Sequence, residues 1–255
     1  MHRQIKGIIK SATLGKTRAG KYFASILTET KDVMPAKNAI DPETAVGIDL
    51  GIKTFAVLSD GTEIENQKYL KQSLGRLKIM QRRVSRKVKG SRNRKKSVKR
   101  LASLHEKITN QRKDFLHKVT DVITRHYDTV CIEDLTVSNM IKNHKLSQTI
   151  SDAGWGIFGV LLKYKAAWRG INILEIGKFE PSSKLHNGCG YIHKDRQWTC
   201  PGCGKVVNRD VNAAINIKNF ALIKHSGMGS TGEPAELPAK AGALNKEKFV
   251  REGYA

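Results

Sequence analysis

Acidic residues are scarce in this chain. Its 255 residues hold 23 Asp and Glu against 46 Lys and Arg, a formal charge of +23. A field of that sign and size selects polyanionic partners, nucleic acid foremost. Long apolar runs are also missing. The longest candidates, such as residues 158–162, fall far short of the roughly 20 residues that span a bilayer. The opening MHRQIKGIIKSATLG has no signal-peptide apolar block. These absences set the expectation of a soluble, cytoplasmic protein with no membrane partner. No internal repeat is evident. There is no nucleophile elbow. Cysteines number four. Cys131 stands alone in an apolar run and reads as a buried, inert thiol. The other three fall between residues 189 and 203, and in a cytosolic chain such crowding points to metal rather than disulfides.

A hydrophobic content of 39% suffices for a real core, and the length suits one large domain or one domain with a small insert. Residues 5–30 alternate in part around Gly15 and Gly20 and predict two strands. Residues 31–44, with Pro35 and Pro42, read as a linker. Three short strands follow: AVGIDL, TFAVLS and, after the Asp60-Gly61 turn, EIE. From Lys68 to Lys118 there are 19 Lys and Arg against two acids, Glu106 and Asp114. Leu70, Leu74, Leu77, Val84 and Val88 recur at helical spacing, as do Leu101, Leu104, Ile108, Phe115 and Val119. Gly90 and Ser91 separate the two sets, so a pair of helices is expected, each with an apolar stripe and a basic face. A charge run is commonly a solvated face. Here the excess is one-sided, and like charges repel unless an anion neutralises them. The candidate nucleic-acid contacts are Arg82, Arg83, Arg86, Lys87, Lys89, Arg92, Arg94, Lys95, Lys96, Lys99 and Arg100. Next come a strand, TVCIED; a polar, loop-like stretch at 140–150; a helix over 155–170 with Trp155, Phe158, Leu161, Leu162 and Trp168 as core; a strand over 171–179; and a helix over 210–223. The order is mixed α/β. The residues from Ser226 onward are expected to be disordered.

Three carboxylates sit at the edges of apolar runs: Asp49 in AVGIDLG, Glu133 in TVCIEDL and Asp210 in NRDVNAAINI. Each has an ordinary structural explanation. Asp49 could cap a turn, Glu133 could pair with a cation, and Asp210 could be a helix N-cap. Gly47 and Gly51 flank Asp49 and allow close approach by a backbone or a phosphate. If the strands holding Asp49 and Glu133 pair in parallel, their acids lie on neighbouring edges. Converging carboxylates repel unless cations sit between them. Two Mg²⁺ or Mn²⁺ ions held by such oxygens can clamp a phosphodiester for in-line hydrolysis.

His186 and Cys189 share the two-residue spacing of Cys200 and Cys203, with Gly190 and Gly204 following each pair. Three thiolates and one imidazole make a normal structural zinc set with no open position. His193 competes as fourth ligand, but its spacing from Cys189 is one residue too long for a knuckle. A redox Cys-x-x-Cys is the rival reading and lacks a thioredoxin-like context.

GIDLGIKTFAVLSDG, QRRVSRKVKGSRNRKK, HEKITNQRKDFLHK, IEDLTVSNM, ISDAGWG, PSSK and RDVNAAINI together resemble the TnpB (OrfB) family of transposon-encoded proteins, relatives of type V CRISPR effectors, over residues 5 to 225 or thereabouts. The resemblance implies an α/β RuvC-like ribonuclease H fold, a mixed sheet with flanking helices, carrying a basic helical insert and a zinc-ribbon insert. The implied layout is 1–44 as remnant N-terminal β domain plus linker, 45–65 as first part of the nuclease domain, 66–120 as basic insert, 121–185 as nuclease domain continued, 186–206 as zinc ribbon, 207–225 as last nuclease helix and 226–255 as tail. It further implies catalytic Asp49, Glu133 and Asp210, one structural Zn²⁺, two catalytic Mg²⁺ or Mn²⁺ ions, and a guide RNA and DNA as partners. Two residues depart from the family pattern: His186 stands where Cys is usual, and Asn208 where Asp is common. The N-terminal region is shorter than in full members. The function expected is a metal-dependent, RNA-associated DNA endonuclease. A nucleic-acid-binding protein or remnant without cleavage is the alternative, and a strand-joining transposase is a third, less favoured reading.

Overall fold

Apolar residues in AVGIDL and TVCIE run without interruption rather than alternating, the pattern of strands covered on both faces. In the computed structural model, which describes residues 4–177, 180–192 and 199–226, they are the central strand of a five-stranded sheet and an inner neighbour of it. The elements in chain order are β1 (Ile8–Lys16), β2 (Tyr22–Glu29), β3 (Ala45–Leu50), β4 (Thr54–Leu58), β5 (Glu63–Glu65), α1 (Tyr69–Ser85), α2 (Arg92–His126), β6 (Thr129–Glu133), α3 (Val137–Met140), α4 (Ser147–Ala153), α5 (Trp155–Arg169), β7 (Asn172–Ile176) and α6 (Arg209–His225). The sheet order is β5-β4-β3-β6-β7. β3, β4 and β5 form an antiparallel meander, while β6 and β7 run parallel to β3. The tight turn between β4 and β5 uses Gly61 at φ 85°, and the Asp60 carboxylate accepts the Thr62 amide at 2.9 Å.

The chain divides into two units, one of residues 1–34 with 68–114 and one of 35–67 with 115–255. In the first, β1 and β2 make an antiparallel hairpin, and Leu77, Leu104 and Ile108 form the core between α1 and α2. Arg94 donates to the carbonyls of Val84 at 3.0 Å and Lys87 at 3.3 Å, fastening the turn between the two helices.

In the second unit α6 packs along β3, β4, β6 and β7, burying Ile217 and Ala221 against Cys131 and Ile176. Phe55, Phe115 and Phe158 meet edge to face at 5.2 and 5.4 Å in another part of this core. Burial pushes the Cys131 thiol up to about 12, so it stays protonated and inert.

Three local expectations are corrected. The 140–150 stretch is not simply loop: α3 precedes it and α4 begins within it, burying Ile150 and Ala153. Val88 lies past the end of α1 and is 77% exposed. Trp168 is not core. It is 66% exposed and rests edge to face on Tyr164. Three sequence expectations fall outside the described residues: the end of the 171–179 strand at 178–179, His193, and the tail beyond 226.

Candidate functional site

Strand alternation decides which side chains share a face. Gly47 and Asp49 point the same way along β3, as do Cys131 and Glu133 along β6, and Gly47 is registered opposite Cys131. That common face is the one α6 covers. A Cβ on Gly47 would come within 2.0 Å of the Ala214 carbonyl, so the close approach that Gly47 permits is by helix backbone. From Ala214 back to Asp210 is four helical residues, about 6 Å. From Gly47 on to Asp49 is two strand residues, about 6.6 Å. The two steps carry both acids toward the same end of the sheet. There, burial and the negative charges of Glu133 and Asp210 push the half-buried Asp49 carboxyl up to about 7, with Arg209 pulling it down. The three acids therefore come from two adjacent parallel strands and the first turn of the helix that crosses them.

Asp210 is not the helix cap. Asn208 is, its side chain accepting the amides of Asp210 and Val211 at 3.1 and 3.3 Å, which leaves the Asp210 carboxylate exposed. Asn does here what Asp can do at this position. Glu133 Oε1 accepts a 2.5 Å hydrogen bond from the hydroxyl of buried Ser182. A cavity of about 190 Å³ adjoins Glu133, walled by Leu50, Ile132, Trp155, Gly159 and Lys163.

His186, Cys189, Cys200 and Cys203 come together with all four ligand atoms within 4.8 Å of one another. All four cysteines of the chain are free thiols. The two halves are built alike: the Gly190 amide reaches the His186 carbonyl at 2.9 Å and the Gly204 amide the Cys200 carbonyl at 2.7 Å, with both glycines at φ near 70°. Three sulfurs and an imidazole so arranged can hold a metal ion.

Sequence reasoning overlooked Ser182, Asn212 and Asn216. The two asparagines lie one helical turn apart, at 6% and 2% exposure, on an otherwise small and apolar face of α6. Asn212 donates to the Leu185 carbonyl at 2.6 Å and accepts the Asn187 amide at 3.0 Å. Asn216 donates to the carbonyls of Ser182 at 2.7 Å and Leu185 at 2.6 Å. Asparagines at i and i+4 within a buried helical stripe were the available signal.

The eleven basic candidates all lie in the first unit, on α1, α2 and their connection. All but Lys87 and Arg94 are exposed. Arg94 directs its Nη1 to the Val84 and Lys87 carbonyls described above.

Comparison with known proteins finds likenesses of family and of fold. Residues 25–144 match the OrfB_IS605 family model, described as "Probable transposase", and residues 155–217 match the Cas12f1-like TNB domain model. A relative from Streptomyces pristinaespiralis named "Putative RNA-guided DNA endonuclease" is 46% identical over 81% of this chain and 52% of its own length. Another of that name, InsQ from Escherichia coli (strain K12), is 33% identical over 91% of this chain and 62% of its own. The chain thus spans between half and two-thirds of the length of these relatives. Among solved structures, a chain of the CRISPR-Cas12f ternary complex superposes with a TM-score of 0.55 at 20% identity, covering 82% of this chain and 44% of that one. That likeness establishes the α/β fold. Among the described residues no helix is long and apolar enough to cross a membrane.

Proposed function

The chain belongs to the OrfB/TnpB family, and on that premise we propose that its five-stranded unit is a metal-dependent nuclease that cuts DNA in company with a guide RNA. The observation that carries this reading is the gathering of Glu133 and Asp210 beside Asp49, whose carboxyl is raised first by burial and then by those two charges, in a chain otherwise dominated by cations. An acid cluster of this kind is relieved by bound cations, and its all-oxygen donor set suits Mg²⁺ or Mn²⁺. Asp49, Glu133 and Asp210 would hold two such ions. When bound, they supply an activated water and stabilisation of the leaving 3′ oxygen.

The remaining work falls to the chain's own groups. Asp49 must give up the proton that its neighbours favour. Ser182 holds one oxygen of Glu133 and leaves the other for a ligand. The exposed cations of α1 and α2 bind phosphate backbone without reading bases, as a guided system requires, because pairing reads the sequence. The Cys/His cluster holds one zinc with four protein ligands, so that metal is structural.

The test uses purified chain with its co-purifying RNA, Mg²⁺ or Mn²⁺, and labelled single-stranded DNA. Metal-dependent cutting by wild type, absent in Asp49→Ala and Asp210→Ala with binding retained, supports the nuclease. Tight binding with no cutting in either metal favours the binding-only reading.

A further inference from the structure

A single amide side chain on α6 spans the distance between the Cys/His cluster and the carboxylates. Asn216 donates to the carbonyl of Ser182, whose hydroxyl holds Glu133, and to the carbonyl of Leu185, the residue preceding the ligand His186. Asn212 grips the chain on both sides of that histidine, through the Leu185 carbonyl and the Asn187 amide. Between these points the chain turns tightly, with the amides of Lys184 and Leu185 on the Pro181 carbonyl at 3.1 and 3.0 Å. Ser182, His186, Asn212 and Asn216 are all buried. With buried polar groups a broken member leaves its partners unsatisfied, so the network moves as a unit or not at all.

We propose that Ser182 and Asn216 are positioning residues that tie the posture of Glu133 to occupancy of the Cys/His cluster. The proposal rests on the three-carboxylate reading above. With metal in the cluster, His186 is fixed, and with it the Leu185 carbonyl. Asn216 can then satisfy both of its acceptors, and the Ser182 hydroxyl is aimed at Glu133. With the cluster empty, the segment 182–187 loses its far anchor and Glu133 loses its orienting donor. Carboxylate ligands are commonly oriented by outer hydrogen bonds of this kind, whose removal weakens metal affinity by about 10- to 100-fold.

The experiment measures Mn²⁺ affinity of the full chain by titration calorimetry or Mn²⁺ paramagnetic resonance. Zinc content and melting temperature are read in parallel. Ser182→Ala is expected to weaken Mn²⁺ binding by about 10-fold, with zinc content and melting unchanged, and Ser182→Thr to restore it. Asn216→Ala and zinc removal from wild type by chelator and dialysis should each produce a loss of similar size. Zinc removal from Ser182→Ala should add little, because the link is already cut. Wild-type Mn²⁺ affinity in the zinc-free chain and in Ser182→Ala would overturn the coupling. Asp49→Ala separates the two levels. If it abolishes Mn²⁺ binding while the positioning variants do nothing, only the coupling fails. If it changes nothing, the carboxylate reading fails and the coupling with it.

Discussion

The carbonyl oxygen of Ala214 on α6 occupies the space in which a side chain on Gly47 of β3 would stand. A Cβ built there meets it at 2.0 Å, and the backbone nitrogen of Lys218 at 2.8 Å. Neither is a flexible side-chain end, so nothing can give cheaply. This contact sets the height of α6 above the sheet and hence the separation of Asp210 from Asp49.

Gly47→Ala is accordingly expected to destabilise the fold by at least about 1–3 kcal/mol, the cost of overpacking a close-packed core. Gly159→Ala is the control: it lies within α5 with nothing within 4 Å of its Cβ. There the change should stabilise by up to about 1 kcal/mol through helix propensity. Denaturant melts of the two variants check the contrast, and equal effects at both sites would contradict it.

The Asp49 carboxyl sits near 7 in the folded chain against an ordinary value of 3.8. Between these values the folded state keeps a proton that the unfolded state has lost. Stability in metal-free buffer therefore falls as pH rises from about 4 through about 7. Asp49→Asn removes that loss. It should melt at least about 2–4 °C above wild type at pH 8, corresponding to about 1 kcal/mol, with the gap closing toward pH 4. Mn²⁺ should raise the wild-type melt at pH 8 and leave Asp49→Asn unmoved. A gap independent of pH would show that Asp49 is not the titrating group.

One zinc per chain is expected by elemental analysis, and Cys203→Ser should lose it. Because the two knuckles have little apolar core of their own, metal binding supplies their folding energy. Hydrogen exchange should then rise at 186–192 and 199–206 while β3 and β6 stay protected. Retained zinc in Cys203→Ser would exclude this ligand set.

Arg94 and Arg100 are expected to behave differently despite their kinship in sequence. Arg94→Ala removes the clamp on the carbonyls of Val84 and Lys87 and should lower thermal stability. Arg100 is exposed, and Arg100→Ala should leave stability alone. It should weaken nucleic-acid binding uniformly across sequences and reduce the salt slope by about one. Titrations at several salt concentrations, beside melting curves, distinguish the two.

The secondary structure around the site was legible because each acid ends a run with an unambiguous pattern: continuous apolar strands for Asp49 and Glu133, and a helical start for Asp210. α4 was not, because KNHKLSQT carries no apolar period, and its helix depends on burying Ile150 and Ala153. Trp168 was misread because its apolar character outweighed its angle. Six residues beyond Leu162 places it about 240° round the helix from that buried face. Ser182, Asn212 and Asn216 were missed for another reason. A polar residue declares its role only when the groups it must pair with are known, and those lie 25 to 49 residues away.

Charge, the knuckle spacing and the placement of three acids at element ends are properties of the linear chain, since each depends on residue type and short separations alone. Tertiary structure decided what lies across from what. The parallel register of β3 and β6, and the absence of a side chain at Gly47 beneath α6, bring Asp210 toward Asp49 and Glu133. Buried hydrogen bonds from Asn212 and Asn216 then join that corner to the Cys/His cluster. No local pattern encodes those pairings, because they arise only when distant segments exclude water from each other and their polar groups must find partners in what remains.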